Sequence, residues 1–223
     1  MKIVLCNGDS LGMPRENVSF KNTWFYNLVN SDLSKTYCFI NNFKRALTSA
    51  QLFSKDFLEN YNPEIVILQI GIVDCAPRLY KSNSNLIKII NRLPSFIVSS
   101  FWKISKKYKK RENKNADVPL DKFRDNMFLY LTRCKNIGVN KCIVIQIQNP
   151  GDLMVSKNPE IRESIEKYNT VLKELESAFD IVQLISPLSK GCNEDYIEDG
   201  YHVNEHGFRK VFIELEKILN EIR

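Results

Sequence analysis

The chain has 223 residues, 43% of them hydrophobic and 26% charged, which suits a folded domain with a sizeable core and excludes a disordered chain. No apolar run is long enough to cross a bilayer. The formal net charge of +6 lies wholly in residues 103–114, where seven Lys and Arg residues stand against one Glu; the rest is neutral, which argues against a nucleic-acid-binding domain.

In chain order, residues 2–6 predict a short buried strand. A strand beginning at Lys2 leaves no room for a secretory leader, so a cytoplasmic protein is expected. The turn Asn7-Gly8-Asp9-Ser10-Leu11 follows and leads towards a helix. Further strands are predicted at 36–41, 64–70, 141–147 and 179–184, with helices at 19–31, 45–60, 121–137 and 159–178. Residues 36–41, 64–70 and 141–147 are β-branched and almost continuously apolar, the pattern of parallel strands covered on both faces. Asn204 is the expected N-cap of a last helix that presents Val211, Phe212, Leu215, Ile218, Leu219 and Ile222 on one face.

Strands alternating with helices predict an α/β fold, a three-layer α/β/α sandwich built as one domain over residues 1–223. The stretch 79–118 is too long for an ordinary connection and is expected to be a helical, basic insertion broken near Pro94. It follows the third strand and should hang over the carboxyl edge of the sheet, where such folds bind ligands. Cys6, Cys38, Cys75, Cys134, Cys142 and Cys192 show no metal-ligand spacing and are expected to stay reduced.

Both histidines lie in Asp199-Gly200-Tyr201-His202-Val203-Asn204-Glu205-His206, just ahead of the last helix. A serine hydroxyl needs a base to take its proton, and a neutral imidazole is such a base near pH 7. Ser10 is the candidate nucleophile, His202 the base and Asp199 the group that fixes the imidazole tautomer. If Ser10 opens a helix, the helix N-terminus adds backbone donors for a developing oxyanion. Asp9 is expected to make loop hydrogen bonds, and His206 to be a helix-start residue.

These blocks resemble those of the SGNH/GDSL hydrolases. Gly8-Asp9-Ser10-Leu11 matches the first block and Asp199-Gly200-Tyr201-His202 the last, in the same order and context. Gly71-Ile72-Val73-Asp74 stands where that family has Gly-x-Asn-Asp. The resemblance covers the chain outside 79–118. It implies a flavodoxin-like five-stranded parallel sheet, hydrolysis or transfer of an acyl ester, and neither cofactor nor metal.

The resemblance also implies an oxyanion hole from the Ser10 N–H, a second N–H that falls on Ala46, and an asparagine side chain that is replaced here by Val73. Asn41, Asn42 or Asn149 is expected to supply the missing donor. The block ending Asp74-Cys75-Ala76-Pro77-Arg78 is similar to that of proteins from bacterial surface-polysaccharide gene clusters, which implies a carbohydrate or glycolipid ester, with an O-acetyl group as one candidate. Asp74 and Arg78 either pair with each other or contact substrate.

Two other functions are compatible with these residues. An O-acyltransferase would use the same triad, and a degenerate fold, suggested by Val73, would bind glycan without turnover. The basic segment is a solvated face, a lid, or, with apolar Phe96, Ile97, Phe101, Trp102 and Ile104, a peripheral contact of 96–114 with an anionic membrane.

Overall fold

The computed structural model describes the chain except residues 16, 53–56, 81–83, 109–111, 113–114, 189 and 223 and the side chain of Lys106. The last three cations of the basic run, together with Lys109, therefore lie outside the described residues.

Five strands form one parallel sheet: β1 (Lys2–Gly8), β2 (Tyr37–Phe43), β3 (Ile65–Gln69), β4 (Lys141–Ile145) and β5 (Val182–Ile185). Their spatial order is β2-β1-β3-β4-β5, and every neighbouring pair is parallel. This is the flavodoxin-like order, with its switch point at β1 and β3.

The helices are α1 (Trp24–Val29), α2 (Ser49–Leu52), α3 (Phe57–Tyr61), α4 (Ile72–Cys75), α5 (Asn85–Ile90), α6 (Ser95–Tyr108), α7 (Leu120–Asn136), α8 (Asp152–Lys157), α9 (Ile161–Ala178) and α10 (Glu205–Glu221). Side chains alternate along each central strand, and so do their packing partners. Val4, Cys6, Ile65, Ile67, Ile143 and Ile145 pack with Trp24 and Leu28 of α1 and Phe208, Val211 and Leu215 of α10. Leu5, Val66, Leu68, Cys142 and Val144 pack on the other face with Phe123, Met127 and Leu131 of α7 and Ile165, Val171 and Leu172 of α9. The sheet is thus the middle of three layers, with apolar contact on both sides.

Several boundaries differ from the sequence expectation. The helix expected over 19–31 is confined to α1, because Thr23 caps it and a separate turn occupies Phe20–Asn22. The helix expected over 45–60 is two short ones, α2 and α3. The last strand starts at Val182, because α9 runs to Ala178 and Phe179 donates its N–H back to Leu175.

The insertion carries α5 and α6. Its base is tied to the sandwich by a backbone bridge between Arg78 and Glu112, by the Asn115 amide on the Arg78 carbonyl, and by a 2.6 Å ion pair between Arg78 and Asp117. Tyr80, Phe101 and Trp102 make tilted and edge-on ring contacts with one another, with centroids 5.4–6.2 Å apart.

Candidate active site

The site forms where the switch point requires an opening. β1 ends at Gly8, where a Cβ would lie 2.5 Å from the Gln69 carbonyl oxygen, so only glycine permits this approach of β1 to β3. Asp9 then donates its N–H to the same Gln69 carbonyl at 3.0 Å, and its carboxylate accepts from the Leu11 N–H at 2.9 Å. Ser10 emerges half-buried at the start of a single 3-10 turn, Ser10–Gly12. The expected helix at Ser10 is therefore absent. One such turn has no useful macrodipole, and Asp9 takes the capping role.

Residues 195–204 present the imidazole. Tyr196 and Val203 form a backbone bridge, and the Ile197 N–H donates to the His202 carbonyl at 2.9 Å. Gly200 turns the chain with φ +74°, and its carbonyl accepts from the Gly151 N–H at 2.8 Å. Asp199 holds the turn from inside, accepting the N–H groups of Tyr201 and His202 at 2.8 Å each. Its second oxygen lies 2.5 Å from His202 Nδ1. Asn204 caps α10 by accepting from the Gly207 N–H.

These two segments meet. Ser10 Oγ lies 3.4 Å from His202 Nε2, across 192 positions of sequence. Burial is the largest influence on His202 and, with Arg15 and Arg45, holds its pKa below the ordinary value although Asp199 raises it. Burial works against the Asp199 carboxylate, but hydrogen bonds from the His202 ring and backbone outweigh it and leave its pKa below the usual range. A neutral imidazole with its Nδ1–H on a carboxylate can take a proton at Nε2.

Sequence reasoning missed Arg15. Its guanidinium Nη2 donates to His202 Nε2, the same lone pair that faces Ser10. Its Nε is buried and has no partner. The only sequence cue was an arginine shortly after the serine block, following Pro14.

The second expected backbone donor, the Ala46 N–H, lies on a turn tied to the end of β1. The Lys44 N–H donates to the Gly8 carbonyl at 2.9 Å, which sets the 44–46 turn beside the serine loop. Ala46 has φ +56°, the left-handed conformation that favours glycine but admits alanine at a cost of about 1–2 kcal/mol. Among the described residues neither the Ser10 nor the Ala46 N–H donates elsewhere.

Other expected residues are not brought to this opening. Asp74 is fully buried, and both the N–H and the hydroxyl of Ser49 donate to its carboxylate, at 2.8 and 2.6 Å. It contacts neither substrate space nor Arg78, which pairs with Asp117. The Asn42 amide is spent on Asn7, and the Asn41 side chain accepts from the Phe43 N–H. Asn149 follows β4, and its carbonyl accepts from the Tyr196 hydroxyl at 2.5 Å. Val73 packs its side chain against the core. His206 pairs with Asp195 at 2.9 Å. Glu194, Asp195 and His206 offer ligand atoms within 4.8 Å of one another, but the Lys210 ammonium, 2.7 Å from Asp195, already supplies the positive charge there.

A cavity of about 520 Å³ lies under the insertion, lined by Ala76–Tyr80, Ile87 and Trp102 on one side and Met154 and Asn158 on the other. A Cβ on Gly200 would come within 2.9 Å of the Met154 N, so this wall abuts the loop that carries Asp199 and His202.

No family model and no curated protein matches the chain. Solved structures do match over almost its whole length. Axe2, an acetyl-xylooligosaccharide esterase from Geobacillus stearothermophilus, aligns with a TM-score of 0.63 at 14% identity, covering 98% of this chain and 94% of its own. TesA aligns with a TM-score of 0.64 at 14% identity over 100% of both chains. A lipase/acylhydrolase from Enterococcus faecalis aligns with a TM-score of 0.63 at 19% identity, covering 99% and 97%. At such identities the likeness is one of architecture: this chain has the α/β/α fold of SGNH/GDSL-type esterases.

Proposed function

We propose that the protein is a serine hydrolase of acyl esters, with Ser10 as nucleophile, His202 as base and Asp199 as its orienting carboxylate. One observation carries the reading: Ser10 Oγ lies 3.4 Å from His202 Nε2 while His202 Nδ1 lies 2.5 Å from Asp199. Ser10 Oγ attacks the ester carbonyl carbon as its proton passes to His202 Nε2. The Ser10 and Ala46 N–H groups hold the resulting oxyanion. Collapse breaks the ester C–O bond, and the leaving alcohol takes the proton back from His202. Water then attacks the acyl-enzyme, giving its proton to His202, and Ser10 is restored when the acid departs. With Val73 in place of an asparagine, this hole has one donor fewer, which slows the reaction about a hundred- to a thousandfold relative to a complete one.

An O-acetyl ester on a carbohydrate or glycolipid is the favoured substrate. Support comes from the esterase likeness, the acetylated oligosaccharide named for Axe2, and an open cavity beside the site. Incubation with a fluorophosphonate followed by intact-mass analysis tests the nucleophile. Loss of the adduct in Ser10→Ala supports the reading; folded wild-type protein that remains unlabelled favours a glycan-binding module. Product analysis with an acetyl ester and sugar acceptors separates hydrolysis from O-acyl transfer.

The insertion also bears on where such a substrate is met. Leu86, Ile89, Leu93, Phe96, Ile97 and Ile104 are exposed on α5, α6 and their connection, with Phe96 at 69% and Ile104 at 60%. Lys88, Arg92, Lys103 and Lys107 are exposed beside them. Apolar side chains flanked by cations fit the surface of an anionic bilayer. Sedimentation with phosphatidylglycerol vesicles but not phosphatidylcholine vesicles is expected, and equal recovery with both would remove this surface from the proposal.

A further inference from the structure

A cation on the catalytic lone pair is an odd neighbour for a base. Arg15 Nη2 donates to His202 Nε2, so in this state the lone pair is shared between a guanidinium and the serine hydroxyl. Arg15 is held by its backbone, not by a carboxylate: its N–H and carbonyl pair with Val18 at 3.1 and 2.9 Å. Its Nε is buried without a partner. A buried guanidinium N–H left without an acceptor is costly.

A second guanidinium stands nearby. Arg45 immediately precedes Ala46, on the turn tied to Gly8, and it is exposed. Its charge disfavours the positive forms of both Arg15 and His202. Among the described residues neither arginine has a salt bridge. The facing carboxyls do not supply one. Asp199 is committed to His202, and burial pushes the Asp9 pKa up to about 7. Two like charges beside a general base, one of them with an unfilled donor, are complementary to an incoming anion.

We infer that Arg15 and Arg45 form an anion subsite, and that the ester hydrolysed here carries a carboxylate or phosphate on its alcohol side. This rests on the hydrolase reading for its catalytic part and deepens it. The side follows from geometry: His202 Nε2 returns the proton to the leaving alcohol, and Arg15 lies against that atom. The anion has a second effect. By drawing Arg15 onto itself it releases the Nε2 lone pair for the Ser10 proton, so the charged substrate completes the base it needs.

The test compares three acetyl esters: 4-acetoxybenzoate, its methyl ester and 4-acetoxyphenyl phosphate. Wild type, Arg15→Gln and Arg45→Gln are assayed for kcat/KM. Each variant is expected to lower the anionic-to-neutral ratio about tenfold or more, since comparing ratios cancels the intrinsic reactivity of each ester. Which anion loses more identifies carboxylate or phosphate as the group recognised. Ratios within twofold of wild type in both variants overturn the subsite. Calorimetric titration with 4-hydroxybenzoate and 4-hydroxyphenyl phosphate keeps the two proposals apart. If no ester turns over yet one of these anions binds wild type and not the Arg15→Gln/Arg45→Gln double variant, the subsite stands and the hydrolase reading fails. If neither anion binds wild type, the subsite falls whatever the kinetics show.

Discussion

Replacing Asp199 with Asn perturbs the base without emptying its surroundings. The wild-type carboxylate makes three contacts: the N–H groups of Tyr201 and His202 at 2.8 Å, and His202 Nδ1 at 2.5 Å. An amide oxygen keeps both backbone bonds, so the turn at Gly200 survives. The third contact inverts, because an amide NH2 would then face an Nδ1–H. The imidazole escapes by moving its proton to Nε2, which leaves Nδ1 as acceptor. Nε2–H then faces Ser10 Oγ and cannot take its proton, and it also meets the Arg15 donor. A tautomer error of this kind lowers kcat by about ten-thousandfold in serine hydrolases with this arrangement. The expected result for Asp199→Asn is a loss of that order in 4-nitrophenyl acetate hydrolysis, with an unchanged circular dichroism spectrum. A fall of less than tenfold in folded protein would refute the assigned role of Asp199.

Other consequences follow from the same geometry. Removing Arg15 takes away a cation that disfavours the imidazolium, so the His202 pKa rises; in Arg15→Gln the acid limb of the kcat/KM profile should move to higher pH, and a profile that does not move contradicts the contact. Gly200→Ala forces an L side chain to φ +74° with its Cβ 2.9 Å from the Met154 N. A strain of about 1–2 kcal/mol and a melting point lower by about 4 °C are expected, together with a drop in turnover larger than the stability loss explains. Burial is the main cause that pushes Asp9 up to about 7 and Asp74 up to about 6. The folded chain therefore holds these protons more tightly than the unfolded one. Their contribution to stability is full below about pH 4 and is lost as pH rises to 7, at about 1.4 kcal/mol per pH unit for each group while it titrates. Thermal melts across that range should flatten in Asp9→Asn; an unaltered slope counts against a buried neutral Asp9.

The central strands were legible because burial on both faces leaves little room for polar residues, as in Ile65-Val66-Ile67-Leu68. The long helices α7, α9 and α10 repeat their apolar faces over several turns and so announce themselves. Helices α4 and α8, with four and six residues, are too short to establish a period. Asp74 shows the opposite failure. A charged residue in a motif suggests an exposed role, yet Ser49, 25 positions away, and burial turn it into a piece of the interior. The meeting of Ser10, Asp199 and His202 could be anticipated because their order and flanking elements were informative. Arg15 could not, since its importance exists only once residue 202 has arrived beside it.

The neck at Arg78 and Glu112 has an evolutionary corollary. A chain excursion that leaves and rejoins a scaffold at adjacent residues can be lengthened, trimmed or exchanged with little entropic penalty to the parent fold. Helices α5 and α6 are therefore a replaceable cassette, whose sequence can drift on its own. The reacting groups have no such freedom, because they are distributed over both ends of the polypeptide and every change to them must be accommodated by the sandwich itself.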